Sequence, residues 1–308
     1  MKTNYLFIGM AALMIAACSN NENEPQVDDG RIAVSFAGEI TLPRATTDTW
    51  EANDGIGIYM LEHGMKTVTD GATNRKYVTT AGDGKFTPAG TEQTIYFPLN
   101  ADKKVDFIAY YPQTDLTVHI YKVDVSDQKV PADIDLLRSD NATGKDKSTN
   151  TVDLKFFHRL SRVEVELTAG EGVSDAELAG MGITLSKQPV KADFDVLQNT
   201  LTAGQDLATL TLNTAADGKT ASAIILPQEG ASGRSLELTL TGGTVLTWPV
   251  EADRTFEQGK KTIFNITLKR TPVGTEWRLM QPSNRGARKV QCRVIWKSDF
   301  DKQQKLMI

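Results

Sequence analysis

The chain has 308 residues and a formal net charge of −5, and charged residues make up 24% of its composition. This length is enough for two domains that each bury a hydrophobic core, so neither disulfides nor a metal is needed to hold the fold. The mildly acidic balance argues against a nucleic-acid partner, which requires a basic surface. Two cysteines, Cys18 and Cys292, are too few for a disulfide scaffold or a cysteine-ligated zinc site.

A short apolar segment at residues 5–17 follows a positively charged residue near the N-terminus. It is shorter than the roughly 20 residues that a membrane-spanning helix needs, and it is typical of a secretory signal peptide. Residues 15–18, with the sequence IAAC, resemble a bacterial lipobox. We therefore predict a signal peptide over residues 1–17 and lipidation at Cys18, while a plain secretory signal with an incidental cysteine is the alternative.

The residues after the signal peptide predict a flexible tether. Residues 18–30 are polar apart from Cys18 and Val27, and such a segment cannot bury a core of its own. Glu22 and Glu24 follow the cysteine closely and resemble a surface-export signal of bacterial lipoproteins. We expect a chain that is attached to the outer membrane by lipid and exposed at the cell surface, without spanning the bilayer.

Short segments with alternating apolar and polar residues recur from Ile32 to Leu268. This period of two is typical of β-strands, and turn sequences such as NDG at residues 53–55 separate the segments. One short helix is predicted, opened by a capping box formed by Ser174 and Glu177. Many short strands at this spacing predict an all-β protein made of two β-sandwiches.

The domain organisation follows from changes in composition along the chain. Residues 138–151 are polar and predict a linker, which divides an N-terminal sandwich at 31–150 from a C-terminal sandwich at 151–272. Residues 273–308 carry eight basic and three acidic residues, and their alternation fades. This basic tail is either a binding surface or an unpacked extension, since a basic run alone is a weak signal.

Motifs that carry known chemistry are missing from the sequence. There is no HExxH motif, no phosphate-binding loop, no GxGxxG turn before a helix, no GxSxG elbow and no EF-hand loop. His119 lies in an alternating segment that predicts a solvent-facing strand position, and His158 precedes a strand as a hydrogen-bonded structural residue. Glu164 and Glu166 share one face of a strand, which predicts a solvated sheet surface. We therefore predict a protein that is not an enzyme and holds neither a metal nor a cofactor.

Several segments, in order, resemble the Bacteroidetes fimbrillins, the FimA/Mfa-like subunits of type V pili. They are RATT at 44–47, WEANDGIGIY at 50–59, IYFP at 95–98, VDFIAYYP at 105–112, DLL at 135–137, FHRLSRV at 157–163, ILPQ at 225–228 and FEQGK at 256–260. The resemblance covers residues 1 to about 270. It implies two transthyretin-like β-sandwich domains in tandem, a role in surface fimbriae, other fimbrial subunits as partners and no enzymatic activity. The basic tail departs from the family, whose stalk subunits supply a C-terminal donor strand.

The resemblance also implies a proteolytic step. In this family an arginine-specific protease cuts at a site like the bond between Arg44 and Ala45, which releases the strand before it. The alternative is that Arg44 is an ordinary loop arginine.

The segment before Arg44, residues 32–43, has the alternation of a strand. We predict that Ile32, Val34 and Phe36 bury one face of an edge strand of the first domain. Removal of this strand opens a groove that a strand from a neighbouring subunit can fill by β-augmentation.

A cluster of aromatic residues supports a second hypothesis, a surface carbohydrate-binding lipoprotein that attaches to host or bacterial ligands. Aromatic rings on a sheet can stack against sugars, although they more often form core. The cluster comprises Tyr96, Phe97, Phe107, Tyr110 and Tyr111, with Trp248 as a further candidate.

Overall fold

The structure is a computed structural model that describes residues 30–41, 49–69, 71–270, 277–280, 289–290 and 294–295. These residues are almost all in strands or the turns between them, so the prediction of an all-β protein is confirmed. The helices are α1 (Pro131–Ile134), α2 (Asp175–Leu178) and a 3-10 turn (Thr91–Gln93). The strands before residue 160 are β1 (Phe36–Ile40), β2 (Asp54–Glu62), β3 (Arg75–Thr79), β4 (Lys85–Pro88), β5 (Val105–Tyr111), β6 (Ile120–Asp124), β7 (Leu137–Lys145) and β8 (Val152–His158).

Seven of these strands close into a barrel in the order β1-β4-β3-β2-β5-β7-β8. Neighbouring strands are antiparallel, except that β8 pairs with β1 in parallel and thereby closes the barrel. Alternate residues point inward and form a core rich in aromatic side chains. The largest members of this core are Phe36, Trp50, Tyr77, Phe86, Phe97, Phe107 and Phe156.

The second half of the chain forms a five-stranded and a six-stranded sheet around a common core. One sheet has the order β13-β10-β16-β17-β21 and the other the order β14-β15-β9-β18-β19-β20. Inward-facing Val163 and Val165 of the second sheet belong to the same buried cluster as Ile183 and Leu185 of the first. The strands after residue 160 are β9 (Ser161–Ala169), β10 (Gly182–Pro189), β11 (Lys191–Asp195), β12 (Thr200–Ala203), β13 (Leu207–Thr211), β14 (Asn213–Thr214), β15 (Thr220–Ile225), β16 (Ser235–Thr239), β17 (Val245–Pro249), β18 (Lys261–Arg270), β19 (Trp277–Met280), β20 (Lys289–Val290) and β21 (Val294–Ile295).

A small third sheet joins the two halves, because β6 from the first half pairs with β11 from the second, and β12 pairs on the far side of β11. Gln128, just after β6, is buried, and its side-chain amide pairs with the backbone of Ile224 as a neighbouring strand would. Its Nε2 donates to the Ile224 carbonyl at 2.8 Å, and its Oε1 accepts the Ile224 N–H at 2.8 Å. Arg138 on β7 is fully buried, and its Nε donates to the Val196 carbonyl at 2.7 Å.

Residues 138–145 form most of β7, so the prediction of a polar linker there is wrong. β7 pairs with β5 through shifts in register, and side chains complete the hydrogen bonding. The Nδ2 of Asn141 donates to the Asp153 carbonyl at 3.0 Å, and its Oδ1 accepts the Lys155 N–H at 2.7 Å. Because β8 pairs with β7 and β1, residues 152–158 lie in the barrel rather than with the sheets that begin at β9.

Two further sequence expectations concern the helix and the tail. The capping box is confirmed: α2 begins after Ser174, whose backbone N–H donates to Glu177 Oε2 at 2.9 Å. Parts of the basic tail are strands, since β19 pairs with β18, β20 with β19 and β21 with β17. Among the residues that the structure describes, no helix is long and apolar enough to cross a membrane.

Candidate functional site

The segment from Ile32 to Ile40 is built into the barrel along its whole length. Its first part is held by two backbone bonds, in which Val34 N–H donates to the Ile95 carbonyl and Phe97 N–H donates to the Ile32 carbonyl, each at 2.9 Å. Its second part, β1, lies antiparallel to β4 on one side and parallel to β8 on the other. Contrary to our expectation of an edge strand, β1 therefore has a partner on both sides at Phe36 and Ala37, because closure of the barrel pairs it there with β4 as well as with β8.

The burial of this segment agrees with the predicted pattern at two positions and differs at one. Val34 is 3% exposed and Phe36 is 2% exposed, as expected for inward-facing residues. Ile32 is 44% exposed and does not enter the core, so that expectation is wrong. Ile32 lies before β1 begins, where the chain pairs with residues 95–97 through an isolated bridge and two backbone hydrogen bonds rather than through a regular strand. Further along, Ile40 is partly buried and packs against the barrel core.

Phe36 occupies an aromatic pocket inside the barrel. Its ring meets Tyr77 edge-on at a centroid distance of 5.0 Å and Phe107 edge-on at 5.2 Å. Edge-to-face pairs at this distance stabilise beyond the area they bury. The Tyr77 hydroxyl accepts the Ile95 N–H at 2.9 Å, and burial raises the pKa of this tyrosine. The pocket is therefore lined by aromatic rings and filled by the ring of Phe36.

Gly38, two residues later, lies where the barrel has no room for a side chain. A Cβ atom at this position would be 2.9 Å from Phe86 Cε2 and 3.1 Å from Phe156 Cε2. The backbone is held on both polar groups: Gly38 N–H donates to the Gly84 carbonyl at 2.8 Å, and its carbonyl accepts the Trp50 indole N–H at 2.7 Å.

Gly84 and Trp50 make this close approach possible. Gly84 has a φ of +76°, which glycine adopts without strain, and a Cβ there would be 2.5 Å from the Gly38 carbonyl oxygen. The Trp50 ring packs edge-on against Phe86 and Phe156, each at 5.1 Å. Trp50 follows the candidate cleavage site in sequence, whereas Gly38 precedes it, so this hydrogen bond joins the two sides of that site.

The outward face of β1 contributes little to its retention. Glu39 is exposed and its carboxylate lies 3.5 Å from Lys155 Nζ, which is also exposed. Solvent-exposed ion pairs of this kind contribute about 0–1 kcal/mol. Ala37 is partly exposed and lies on the same outward face. The inward-facing residues of β1 therefore contribute more than the outward-facing ones to holding it in the barrel.

Three of the predicted site residues lie outside the described residues. They are Cys18, the predicted lipidation site, and Arg44 and Ala45, the candidate cleavage site. The signal peptide and most of the tether lie outside them too.

The aromatic cluster of the carbohydrate-binding hypothesis is mostly core. Phe97, Phe107 and Tyr110 are at most 3% exposed. The Tyr110 hydroxyl donates to the Thr114 carbonyl at 2.6 Å, and burial raises its pKa. Tyr96 is partly exposed, with the Arg31 guanidinium 4.4 Å from its ring centre. These side chains do not form one exposed platform. The remaining members fit the same description: Tyr111 is partly buried and bonded to Asp54, and Trp248 is 5% exposed.

Of the two histidine predictions, the structure confirms the one for His158. Its ring is buried, and Nδ1 lies 3.0 Å from Asp135 Oδ2, as expected for a structural residue. The prediction for His119 is wrong, since its ring packs edge-on against Tyr59 at 5.1 Å rather than facing solvent. In the part of the chain that the structure describes, no three histidine, cysteine or acidic residues come together as a metal site.

Sequence reasoning missed Gly38, Gly84 and Trp50 as parts of one site. A glycine inside an alternating apolar segment was the available signal for Gly38, because it marks a close approach of backbone and neighbouring groups. Nothing local in the sequence links it to Gly84 or to Trp50, since their contact depends on barrel closure.

These features define an all-β protein in which the first strand, β1, is built into a closed barrel between β4 and β8. A family profile described as fimbrillin-like matches residues 43–279, and the chain belongs to that family. The resemblance drawn from the sequence is thereby confirmed.

Individual relatives agree with the family assignment. The candidate fimbrium subunit Fim1C of Bacteroides uniformis is 38% identical over 279 residues, which span 86% of this chain and 89% of that protein. A crystal structure of a candidate cell adhesion protein from Bacteroides uniformis is 33% identical, with a TM-score of 0.68, and the match covers 86% of this chain and 99% of that one. A second such structure, from Bacteroides ovatus, has a TM-score of 0.66 at 20% identity, covers 86% and 98%, and shows a shared fold.

Proposed function

We propose that this chain is a structural or accessory subunit of a cell-surface fimbria and that it assembles by β-strand exchange. Membership of the fimbrillin-like family and the similarity to Fim1C support the fimbrial role. The main support for this mechanism is the position of β1, which fills a groove between β4 and β8 and precedes the candidate cleavage site. The chain has no catalytic activity in this proposal.

The exchange begins with cleavage between Arg44 and Ala45. After the cut, β1 is held only by its backbone hydrogen bonds and its inward-facing side chains. Burial of Val34 and Phe36 contributes about 1.5–3 kcal/mol each. When β1 leaves, β4 and β8 expose unpaired N–H and C=O groups beside an apolar groove, and a strand of another subunit pairs there by β-augmentation.

The chain reaches the cell surface as a lipoprotein in this proposal. The lipobox supports export and acylation at Cys18, with residues 18–30 as a tether to the outer membrane. The Cys18→Ala variant should leave the membrane fraction and appear as soluble protein. Retention of that variant on membranes would show that the anchor lies elsewhere.

We also infer that the two sets of sheets are tandem transthyretin-like sandwiches that meet near the end of β8. The repeated arrangement supports this, because among the residues that the structure describes each half contains one parallel strand pair: β1 with β8, and β9 with β18. The chain is an acceptor of a strand rather than a C-terminal donor. Pairing of β19 with β18 and of β21 with β17 supports this, since the tail adds strands to its own sheets.

The experiment that tests the proposed function mixes the full chain, cleaved after Arg44, with a purified subunit of the same fimbria. We expect assemblies that survive in denaturing gels as a ladder, because a donated strand completes the barrel of its acceptor. The Arg44→Ala chain, treated with the same protease, is the control and should stay monomeric. A cleaved chain that stays monomeric and fully stable would refute strand exchange. Normal assembly of the Arg44→Ala chain would show only that cleavage at Arg44 is not required.

The surface carbohydrate-binding hypothesis can be tested separately. Binding on a glycan array that is lost in the Tyr96→Ala variant would support it, because Tyr96 is the member of the cluster with a partly exposed ring beside a cation.

A further inference from the structure

The shape of the groove around β1 specifies which strands can occupy it. Inward-facing positions along β1 alternate between a large ring at Phe36, no side chain at Gly38 and an aliphatic side chain at Ile40. The three positions differ in the space that the barrel offers, and the intervening residues point away from the core. The groove therefore distinguishes side chains at three places and tolerates change at the two between them.

We propose that the strand donated to this subunit carries the pattern aromatic–x–Gly–x–aliphatic, and that the glycine sets its register. This inference rests on the proposed function and names the chemistry of the partner. The barrel side of the site stays in place after cleavage, because Trp50, Phe86 and Phe156 all follow the candidate cut.

The glycine position is the most selective of the three. A side chain there would meet the ring edges of Phe86 and Phe156 at 2.9 and 3.1 Å, and both rings pack edge-on against Trp50. The Trp50 indole N–H and the Gly84 carbonyl stand ready to bond the backbone of an incoming glycine.

Register follows from these contacts. A strand shifted by two residues would place a side chain against Phe86 and leave the pocket beside Tyr77 and Phe107 without a ring. A shift by one residue would turn the whole apolar face outward. One register thus satisfies all three positions.

The donor is a different protein rather than the tail of a second copy of this chain. Of the 24 glycines in the sequence, Gly38 alone has an aromatic residue two positions before it and an isoleucine, leucine or valine two positions after it. The glycines of the tail are Gly274, flanked at these positions by Pro272 and Glu276, and Gly286, flanked by Asn284 and Arg288.

The test uses the full chain with one change, a site-specific protease sequence in place of residues 44–47. After cleavage, the nicked protein is incubated with fluorescent synthetic peptides, and uptake is measured by anisotropy and by native mass spectrometry. The reference peptide is residues 32–43 of this chain. Its variants are Gly38→Val, Phe36→Ala and Ala37→Val, and a further peptide carries residues 271–290 of the tail.

We expect the reference peptide and its Ala37→Val variant to bind with affinities within about threefold of each other, because position 37 faces outward. The Gly38→Val and Phe36→Ala variants should bind about tenfold more weakly or worse, the first by overpacking and the second by leaving a cavity. The tail peptide should show no uptake. Ala37→Val is the matched control for Gly38→Val, since both variants add bulk one residue apart.

The outcomes separate this inference from the function on which it rests. If the nicked chain takes up no reference peptide, strand exchange itself fails. If it takes up the reference and Gly38→Val peptides equally well, exchange stands and the glycine-set register is overturned. Uptake of the tail peptide as tight as that of the reference would overturn the conclusion that the donor is a different protein.

Discussion

Phe36 and Gly38 hold the first strand in opposite ways. The Phe36 ring fills a pocket, whereas Gly38, with no side chain, allows the backbone to approach neighbouring rings closely. The Phe36 ring completes an edge-to-face cluster with Tyr77 and Phe107. Gly38 lets β1 pass beneath two rings while Trp50 bonds its carbonyl. Side-chain volume at these two positions therefore matters for the stability of the barrel and, in the proposed exchange, for the strand that replaces β1.

The contrast between Phe36 and Ile32 gives a direct test of the burial pattern in the intact chain. The Phe36→Ala variant should lose about 3–5 kcal/mol of unfolding free energy, since it leaves a cavity in an aromatic core. The Ile32→Ala variant should change it by less than about 0.5 kcal/mol, because that side chain is largely exposed. Urea denaturation of both variants measures the difference, and equal losses would contradict the observed position of Ile32.

Buried tyrosines make the fold sensitive to alkaline pH. Burial raises the pKa of Tyr59 to about 12, and the nearby charge of Asp195 raises it further in the same direction. Because the folded pKa lies above the unfolded value near 10, the neutral phenol stabilises the fold fully below about pH 10 and this stability is lost as pH rises towards 12.

We therefore expect the unfolding free energy to fall between about pH 10 and 12, with a shallower fall in the Tyr59→Phe variant. Denaturation curves at a series of pH values, followed with phenolate absorbance, measure this. Tyr96→Phe, at a partly exposed position, serves as the matched control. A Tyr59→Phe curve parallel to that of the native chain would contradict the assignment.

At the scale of elements, the sequence pattern predicted most strands but not their partners. Alternation located β9 and β18, whose burial alternates as expected, and also β2 and β5, which are buried on both faces. It failed for β7, a polar strand whose side chains supply the hydrogen bonds that its shifted register leaves open. The pattern also predicted β1 as an edge strand. This prediction failed because β1 pairs with β8, more than a hundred residues away, and a local pattern gives no information about such distant pairing.

The joint between the halves gives a prediction at this scale. Gln128 bonds both polar groups of Ile224 and the Val125 carbonyl. Its replacement by alanine leaves these buried groups unpaired and should cost about 2–4 kcal/mol of unfolding free energy. Hydrogen exchange of the Ile224 amide should accelerate in the same variant. The exposed Gln198→Ala variant is the control, and an unchanged amide in Gln128→Ala would show that the joint does not depend on this side chain.

At the scale of the whole molecule, the two halves share hydrophobic core as well as hydrogen bonds. Tyr59, Ile108 and Tyr110 of the first half belong to the same buried cluster as the sheets of the second. Arg138 lies fully buried at this junction. Burial of the neighbouring Arg159, together with the positive charge of Arg138, lowers the pKa of Arg159 to about 10. No alternation of apolar and polar residues could have predicted such a buried arginine, since its bond to Val196 joins distant parts of the chain.

In the proposed assembly, β1 leaves the barrel after cleavage near Arg44 and a strand of another subunit takes its place. Native mass spectrometry of the cleaved full chain, before and after addition of a fimbrial partner subunit, tests it most directly. We expect the cleaved chain to gain the mass of the partner and to lose the segment that contains β1, and the uncleaved chain to gain nothing. Gain of the partner with β1 still bound, or equal gain by the uncleaved chain, would contradict it.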